Sequence, residues 1–277
     1  MSYLHDRVVM ITGAGNGFGK LVAEKAASRG AKIVACDIDE AALEQTLDAI
    51  INAGGAALGQ RADVTVASEL TALVTAAVDT FGSLDVLINN AGIMPLAYYS
   101  DHAEALEAWH RCIDINFKGV LNGITSVHDQ MLAQGRGHVV NLSSIYSNFP
   151  LAGAAVYGAT KAAVNFLSDA LRQESQGRIK VTTIRPTGIP ITGISSAVVN
   201  IQAGAGIVGT QGQVFAERLG AMMEGSGENG WSDQSSIEYF MLAPELLCDQ
   251  ILYAIDQPWG VVISDLTVRA SGEVYTV

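Results

Sequence analysis

Residues 8–19 carry the stretch that decides the fold: Val8-Val9-Met10-Ile11-Thr12-Gly13-Ala14-Gly15-Asn16-Gly17-Phe18-Gly19. A short β-type apolar run leads straight into a glycine loop, and the small residues from Leu21 to Ser28, closed by Gly30, predict a helix after it. Glycines permit a tight turn and let backbone N–H groups approach a pyrophosphate at the helix N-terminus, where the helix dipole favours anions. The glycine spacing is G-x-x-x-G-x-G, and taken alone it fits either a phosphate cradle or a mere turn.

A second strand is predicted from Lys32 to Cys36, and it ends in Asp37. A carboxylate at this strand end can accept hydrogen bonds from both hydroxyls of an adenosine ribose and would repel a 2′-phosphate. The alternative is that Asp37 caps the helix that begins near Glu40. Because neither Asn16 nor Ile38 offers a cation for a phosphate, we expect NAD rather than NADP as the cofactor.

The rest of the chain continues to alternate between strands and helices. Helices are predicted at about 40–53, 68–81, 103–134 and 244–256, and further strands at about 57–61, 84–88, 138–143, 179–184 and 260–263. Strands that alternate with helices of this length indicate a parallel sheet with helices on both faces. We therefore expect an α/β protein with one domain over residues 1–277, a doubly wound (Rossmann) fold with a seven-stranded parallel sheet.

Residues 193–236 interrupt this alternation. Their composition shifts to Gly, Ser, Gln and Asn with scattered apolar residues, Trp231 among them. A segment of this length inside a compact domain is usually a lid over a site or a disordered insert. We expect a partly helical lid that covers the substrate.

The composition is compatible with an acidic soluble enzyme. The chain has 277 residues, 49% of them hydrophobic, so it can bury one good core, and its net charge of -12 argues against a nucleic acid or an anionic membrane as partner. Cys36, Cys112 and Cys248 are too far apart for a zinc site or a disulfide framework, so we expect free thiols in a reducing cytoplasm. Residues 1–6 lack the features of a secretion signal, and no apolar run reaches about 18 residues, so neither secretion nor a membrane span is expected.

The candidate catalytic groups lie in Tyr157-Gly158-Ala159-Thr160-Lys161, where a phenol and an ammonium are one helical turn apart. A tyrosine titrates near 10, so acid/base work at neutral pH needs a pKa lower by roughly 2 to 3 units, and a nearby cation can supply part of that shift. The bland alternative is a surface tyrosine over a solvated lysine. Ser144 favours the functional interpretation, because it ends the strand-like run His138 to Ser143, and a strand end and the next helix start reach the same rim of a parallel sheet.

Asn116 lies within an apolar helical stretch, Ile113 to Gly119. A buried asparagine needs hydrogen-bond partners, so Asn116 is either a structural amide or part of a polar site. The five histidines show no ligand spacing, and no metal is expected.

Together these motifs resemble those of the short-chain dehydrogenase/reductase family, from Arg7 to about Ile263. The matching motifs are Thr12-Gly13-x-x-x-Gly17-x-Gly19, Asp63-Val64, Asn89-Asn90-Ala91-Gly92, Asn116, Ser144 and Tyr157-x-x-x-Lys161. The resemblance implies an NAD(H)-dependent oxidoreductase that interconverts a small-molecule secondary alcohol and a ketone. It also implies a homo-oligomer, a tetramer or a dimer.

The resemblance assigns roles to single residues. Tyr157 would be the general acid/base, Lys161 would lower its pKa and bind the nicotinamide ribose, Ser144 would hold the substrate oxygen, and Asn116 would anchor a proton-relay water. Asp63 and Val64 would contact adenine, and residues 90–92 would border the cofactor ribose. The cofactor contacts expected in all are Gly13, Asn16, Gly17, Phe18, Gly19, Asp37, Asp63, Val64, Asn90, Ala91, Gly92, Tyr157, Lys161, Pro186 and Ile189.

The chain departs from the family pattern after the sixth predicted strand. Similar proteins commonly have Pro-Gly where this chain has Pro186-Thr187. Ile189 would still match the backbone that holds the carboxamide, but the threonine expected soon after falls on Ile191, and Thr192 is one place late.

The substrate and two other functions stay open at this stage. A pocket for a medium-sized apolar alcohol or ketone, or else ordinary core, is expected around Met94, Ile145, Phe149, Leu151, Val198 and Val199. A dinucleotide-binding sensor without turnover should have lost the tyrosine or the lysine. A lyase or epimerase on the same scaffold should need further acid/base groups near Tyr157.

Overall fold

The computed structural model describes residues 2–188, 193–224 and 230–276. Within these residues the strands are β1 Val8–Thr12, β2 Lys32–Asp37, β3 Ala56–Arg61, β4 Val86–Asn89, β5 Gly137–Leu142, β6 Ile179–Pro186 and β7 Asp265–Val268. They form one sheet in the order β3-β2-β1-β4-β5-β6-β7, and every neighbouring pair is parallel. The predicted doubly wound α/β fold with seven parallel strands is confirmed.

Helices cover both faces of the sheet, and each face has its own apolar core. The helices are α1 Gly17–Ser28, α2 Glu40–Asn52, α3 Ala67–Phe81, α4 His102–Ile113, α5 Gly119–Ala133, α6 Ala155–Glu174, α7 Gly212–Met223 and α8 Pro244–Ile255. Val9 and Ile11 of β1 join the core under α1, α2 and α8, whereas Val8 and Met10 join the core under α3, α5 and α6. Because β1 is buried on both faces, its sequence is a continuous apolar run rather than an alternating one.

The order of the strands reverses between β1 and β4. The chain leaves β1 toward one side of the sheet and β4 toward the other, which opens a crevice at the carboxyl ends of these two strands. β1 ends at Thr12 and β4 at Asn89, so the glycine loop and the Asn90-Ala91-Gly92 segment both border this crevice.

The helical region predicted at about 103–134 is present, with one irregularity. Helices α4 and α5 are joined by a π-helical turn at Asp114–Lys118, in which the helix is locally wider. Such turns are rare and are frequent at functional sites. Asn116 lies in the middle of this turn.

The last strand was predicted five residues too early. Residues 260–263 form no strand, and β7 begins at Asp265. The carbonyl groups of the predicted segment instead accept hydrogen bonds from side chains of β6. Lys180 Nζ donates to Val261 O at 2.7 Å, and Thr182 Oγ1 donates to Ile263 O at 2.7 Å.

The described residues of the segment 193–236 are partly helical. It contains α7 and several short 3-10 turns, and it is held to the body of the protein by polar contacts. Val199 N and Asn200 N both donate to Leu96 O, and Arg218 donates to Gly272 O at 2.6 Å. Among the described residues, no helix combines the length and the apolar character needed to cross a membrane.

Candidate active site

A cleft of about 310 Å³ lies over the carboxyl ends of β1, β2 and β4. Ten of the residues expected to contact a cofactor line it, namely Gly13, Asn16, Gly17, Phe18, Asp37, Asp63, Val64, Asn90, Ala91 and Gly92. The cleft is also lined by Ile93, Arg111, Ile115 and Ile194, to which the sequence motifs did not point. Arg111 and Ile115 are four residues apart across the end of α4 and so share one helical face, to which no motif in the sequence pointed.

Each glycine of the predicted cradle is required for its own reason. Gly13 has φ of +68°, and a β-carbon on it would lie 2.9 Å from Ala91 Cα. Gly17 has φ of +55° and faces open space, whereas a β-carbon on Gly19 would collide with Gly13 O. Gly19 therefore lets α1 pack closely under the loop rather than lining the cleft.

At the start of α1, Asn16 makes no side-chain capping hydrogen bond, so the first N–H groups of the helix are left for another acceptor. The loop fits a diphosphate.

Thr12 and Asn90 tie the ends of β1 and β4 together. Thr12 Oγ1 accepts from the backbone N–H groups of Asn90 and Ala91, each at 3.1 Å. Asn90 Nδ2 donates back to Thr12 O at 2.9 Å and to Gly13 O at 3.0 Å. The two segments that border the crevice are thereby held as one rigid edge.

Asp37 does not cap the following helix. Asp39 is the N-cap of α2, and its carboxylate accepts from Ala42 N at 3.0 Å. Asp37 instead accepts from Gly15 N at 2.8 Å and from Asp39 N at 3.0 Å, which fixes its carboxylate on the wall of the cleft beside the glycine loop. The capping alternative for Asp37 is wrong.

Asp63 and Val64 form the far end of the cleft. Asp63 Oδ1 accepts from Thr65 N at 2.9 Å and from Thr65 Oγ1 at 2.8 Å, and Asn122 Nδ2 donates to Val64 O at 2.9 Å. These bonds hold the chain after β3 against α5, so both residues present a fixed surface to the cleft.

A second pocket of about 190 Å³ contains the candidate catalytic groups. Ser144, Tyr157 and Lys161 line it, and it shares Phe18, Asn90 and Ile194 with the larger cleft. Of the apolar residues proposed for a substrate pocket, Met94 and Ile145 line it. The others do not, because Phe149 and Val199 are exposed and Leu151 and Val198 pack in a neighbouring apolar cluster.

The three catalytic candidates come together because β5 and α6 meet at this rim. Lys161 Nζ donates to Leu142 O at 2.7 Å and lies 5.9 Å from the centre of the Tyr157 ring. Ser144 Oγ accepts from Tyr146 N at 3.2 Å, and the Tyr146 ring meets the Tyr157 ring edge-on, with the ring centres 5.5 Å apart. The hydroxyl groups of a serine and a tyrosine therefore face one small pocket, with a buried ammonium behind them.

The titration of Tyr157 differs from the sequence-based expectation of a lowered pKa. Burial raises the pKa of Tyr157 above its ordinary value, and a hydrogen bond with the Ser144 side chain acts in the opposite direction. Burial also lowers the pKa of Lys161 to about 8. The lysine is itself desolvated, so its charge is not freely available to stabilise a phenolate.

Asn116 makes the hydrogen bonds of a structural amide. It is completely buried, its Oδ1 accepts from Ile93 N at 2.9 Å, and its Nδ2 donates to Ile93 O at 2.8 Å. It also borders the site, because a β-carbon on Gly92 would lie 3.2 Å from Asn116 Oδ1 and 3.6 Å from Lys161 Nζ. The amide thus fixes the segment that follows Gly92 right beside the lysine.

The end of β6 completes the second pocket. Pro186, Thr187 and Gly188 line it, whereas Ile189 and Thr192 lie outside the residues that the structure describes. Tyr146, Ile207 and Tyr275 also line this pocket, and the sequence analysis found none of them. Tyr275 comes from the far C-terminal end of the chain, where no local pattern points to a site.

Known proteins are similar to this chain in sequence and in fold. A family model described as short chain dehydrogenase matches residues 7–203. An oxidoreductase of Listeria monocytogenes without an assigned reaction is 34% identical over 98% of both chains, and a 2,5-dichloro-2,5-cyclohexadiene-1,4-diol dehydrogenase of Sphingobium indicum is 38% identical over 68% of this chain and 76% of its own. A short-chain dehydrogenase/reductase of Burkholderia phymatum, solved with NAD, superposes with a TM-score of 0.74 at 29% identity over 96% of this chain and 90% of its own. Other similar structures were solved with NADP.

Proposed function

Because this chain belongs to the short-chain dehydrogenase/reductase family, we propose that it is an NAD(H)-dependent oxidoreductase that interconverts a secondary alcohol and a ketone by hydride transfer. One observation carries the proposal: Ser144, Tyr157 and Lys161 line a pocket that opens onto a cleft suited to a dinucleotide. A nicotinamide dinucleotide, when bound, supplies the hydride donor or acceptor, which leaves only proton transfer and positioning to the protein.

Tyr157 and Ser144 have complementary tasks in this mechanism. The Ser144 hydroxyl hydrogen-bonds the substrate oxygen, and the Tyr157 hydroxyl gives a proton to the ketone oxygen or takes one from the alcohol. Since burial raises the pKa of Tyr157, its phenol holds its proton at neutral pH, as a general acid must. Alcohol oxidation needs the phenolate and therefore becomes faster as the pH rises.

Lys161 has a positioning task as well as an electrostatic one. Its bond to Leu142 O anchors the ammonium at the end of β5, one helical turn from Tyr157, and leaves two of its three donors for other acceptors. Ribose hydroxyls and a relay water that leads toward Asn116 are acceptors of the right kind. We assign Lys161 to both.

The preference for NAD rests on Asp37. Its carboxylate is fixed on the cleft wall by two backbone N–H groups, where a 2′-phosphate would meet a negative charge. The similar structures hold either NAD or NADP, so the family alone does not choose between them. The carboxylate makes NAD the better match.

We extend the proposal to the organisation of the protein. Residues 1–277 would form one catalytic domain, and residues 193–236 would be its substrate lid, since Ile194 and Ile207 of this segment line the second pocket. A cytoplasmic location is supported by the free, buried Cys36, Cys112 and Cys248. A homotetramer is supported by exposed apolar side chains on α4, α5 and α6, which are Leu106, Ile113, Leu121 and Phe166. Light scattering of the purified protein tests the tetramer.

The proposed function is tested by titrating the purified protein with NADH and, separately, with NADPH, followed by a panel of alcohols and ketones scored at the nicotinamide absorbance band. We expect tighter binding of NADH than of NADPH and turnover of at least one panel member. Tighter binding of NADPH would contradict the assignment of Asp37. Binding of NADH with no turnover across the panel would instead support the sensor.

A further inference from the structure

We propose that Tyr275 forms a wall of the substrate pocket and makes the enzyme select neutral alcohols and ketones that carry a flat ring. The inference rests on the proposed function, since it names the substrate class of the same pocket. It is carried by three observations, which concern the anchoring of the C-terminal residues, the charge of the pocket lining and the number of aromatic rings in that lining.

Residues 273–276, which we call the tail, are fastened to the body of the protein on both sides of Tyr275. Thr187 Oγ1 donates to Glu273 Oε2 at 2.5 Å, and Arg269 forms an ion pair with the other oxygen of this carboxylate. Thr276 N donates to Ile207 O at 3.0 Å, and the Thr276 hydroxyl donates to the same oxygen at 3.1 Å. The tail is thus part of the folded structure rather than a loose end.

The ring of Tyr275 lies beside the residues that follow β6. It packs against Gly188, on which a β-carbon would collide with the ring, and its centre lies 6.2 Å from that of Phe215. Thr187, the residue before Gly188, supplies the hydroxyl that donates to Glu273. The Thr187-Gly188 pair therefore both admits the tail and fastens it, so the tail is a built feature of this pocket.

The lining of the pocket suits a neutral substrate. Among its described residues, Lys161 is the one side chain that carries a full charge at neutral pH, and its Nζ already donates to Leu142 O. The phenols are uncharged, and burial raises the pKa of Tyr146 to about 12. A substrate carboxylate would have to be desolvated there without an arginine or a second lysine to receive it, which is costly.

The shape and lining of the pocket suit a ring. Phe18, Tyr146, Tyr157 and Tyr275 give the pocket four aromatic side chains in a volume of about 190 Å³. Such a volume is below the common range of roughly 300–1,000 Å³ for ligand pockets, so the substrate is small. Aromatic surfaces bind a flat ring better than a flexible chain of equal carbon number, because ring contacts add to area burial and no chain rotamers are lost.

Three alcohols with the same number of carbon atoms separate these features: 1-phenylethanol is neutral with a ring, octan-2-ol is neutral with a chain, and mandelate has a ring and a carboxylate. We would measure kcat/KM for each, and by calorimetry the binding of acetophenone to the protein in the presence of oxidised NAD, with which the ketone cannot react. The variants are Tyr275→Ala, which removes the ring, and Tyr275→Phe, which keeps it. Tyr253→Ala is the matched control, because Tyr253 is an exposed tyrosine on α8 outside the pocket.

We expect 1-phenylethanol to be the best of the three substrates, and Tyr275→Ala to lower its kcat/KM about tenfold, mostly through KM, with a smaller effect on octan-2-ol. Tyr253→Ala should behave as the wild type, and Tyr275→Phe, which keeps the ring, should retain the preference for 1-phenylethanol over octan-2-ol. A preference for octan-2-ol or mandelate, or an equal loss on the two neutral alcohols in Tyr275→Ala, would overturn the inference and leave the proposed function standing. Binding of acetophenone that depends on Tyr275 without any turnover would support the inference and contradict the proposed function. Absence of acetophenone binding to the wild type would overturn the inference.

Discussion

Lys161 Nζ lies 5.9 Å from the centre of the Tyr157 ring, and both side chains are almost completely buried. Burial acts on the two groups in the same sense, because it disfavours the charged form of each. It raises the pKa of the phenol and lowers the pKa of the ammonium to about 8. The pair is held in place by α6 and β5 at a cost in electrostatic free energy, as expected for groups placed for chemistry rather than for stability.

Replacing Tyr157 with phenylalanine removes the proton donor and keeps the ring that packs against Tyr146. We expect kcat to fall at least about 100-fold, the lower end of the range for loss of a general acid/base, with little change in the dissociation constant of NADH. Turnover assays and NADH fluorescence titration measure the two quantities. Near-wild-type turnover in Tyr157→Phe would rule out the acid/base role, and Tyr253→Phe serves as the control for loss of an exposed phenol.

The pH dependence of stability tests the burial of Lys161. Its folded-state pKa of about 8 is below the unfolded value of 10.5, so between these values the unfolded state binds more protons and the lysine's contribution to stability rises with pH. Below pH 8 the buried ammonium costs up to about 3 kcal/mol. This cost is partly offset by the hydrogen bond to Leu142 O, worth about 1–3 kcal/mol.

We therefore expect Lys161→Met to be inactive yet about as stable as the wild type, or more stable, at pH 7. As the pH rises from 8 to 10.5, the wild type should gain free energy of unfolding relative to Lys161→Met, as measured by urea denaturation. A difference that is independent of pH in this window would mean that the ammonium is not desolvated. Lys118→Met is the control, since Lys118 forms an exposed ion pair with Asp114.

The sequence was enough to predict the fold because the central strands are buried on both faces. The buried runs of β1, β4 and β5 are apolar enough to be recognised without any tertiary information. The edge strand β7 is only half buried and pairs with β6 alone, so its own sequence carries little signal. Val261 and Val262 just before it are exposed, but their sequence resembles that of a buried strand, so the last strand was predicted there.

The sequence predicted the site residues that lie in local motifs. It did not predict the residues that only tertiary contacts bring to the site. Helical spacing and strand ends indicated Ser144, Tyr157 and Lys161 correctly as neighbours of one pocket. Nothing in the sequence around Tyr275 shows that it packs on Gly188, some 90 residues earlier in the chain. The effect of burial on the Tyr157 pKa was also missed, because sequence spacing reports the nearby cation but not the loss of water around both groups.

Asn116 in the π-helical turn has a structural task that can be measured. In Asn116→Ala the backbone N–H of Ile93 loses its partner and its C=O keeps only the weak Cys112 Sγ donor at 3.7 Å, which should lower the free energy of unfolding by about 2–4 kcal/mol. NADH binding should weaken as well, because Ile93 lines the cleft. Asn122→Ala is the matched control: it loses one bond, to Val64 O, and should cost only about 1 kcal/mol. Equal destabilisation in the two variants would contradict the paired role of Asn116.

Asp37 controls the choice of dinucleotide in our proposal, and Asp37→Asn isolates its charge. The amide oxygen can still accept a hydrogen bond from Gly15 N, so the glycine loop should keep its shape, whereas the bond from Asp39 N is lost together with the repulsion of a 2′-phosphate. We expect the ratio of the dissociation constant of NADPH to that of NADH to fall at least about tenfold, or about 1.4 kcal/mol. This fall should be smaller at high salt. Fluorescence titration with both cofactors measures this ratio. Asp39→Asn is the control, since asparagine also caps a helix well and Asp39 should not alter the ratio. An unchanged ratio in Asp37→Asn would show that its carboxylate does not face the position of the 2′-phosphate.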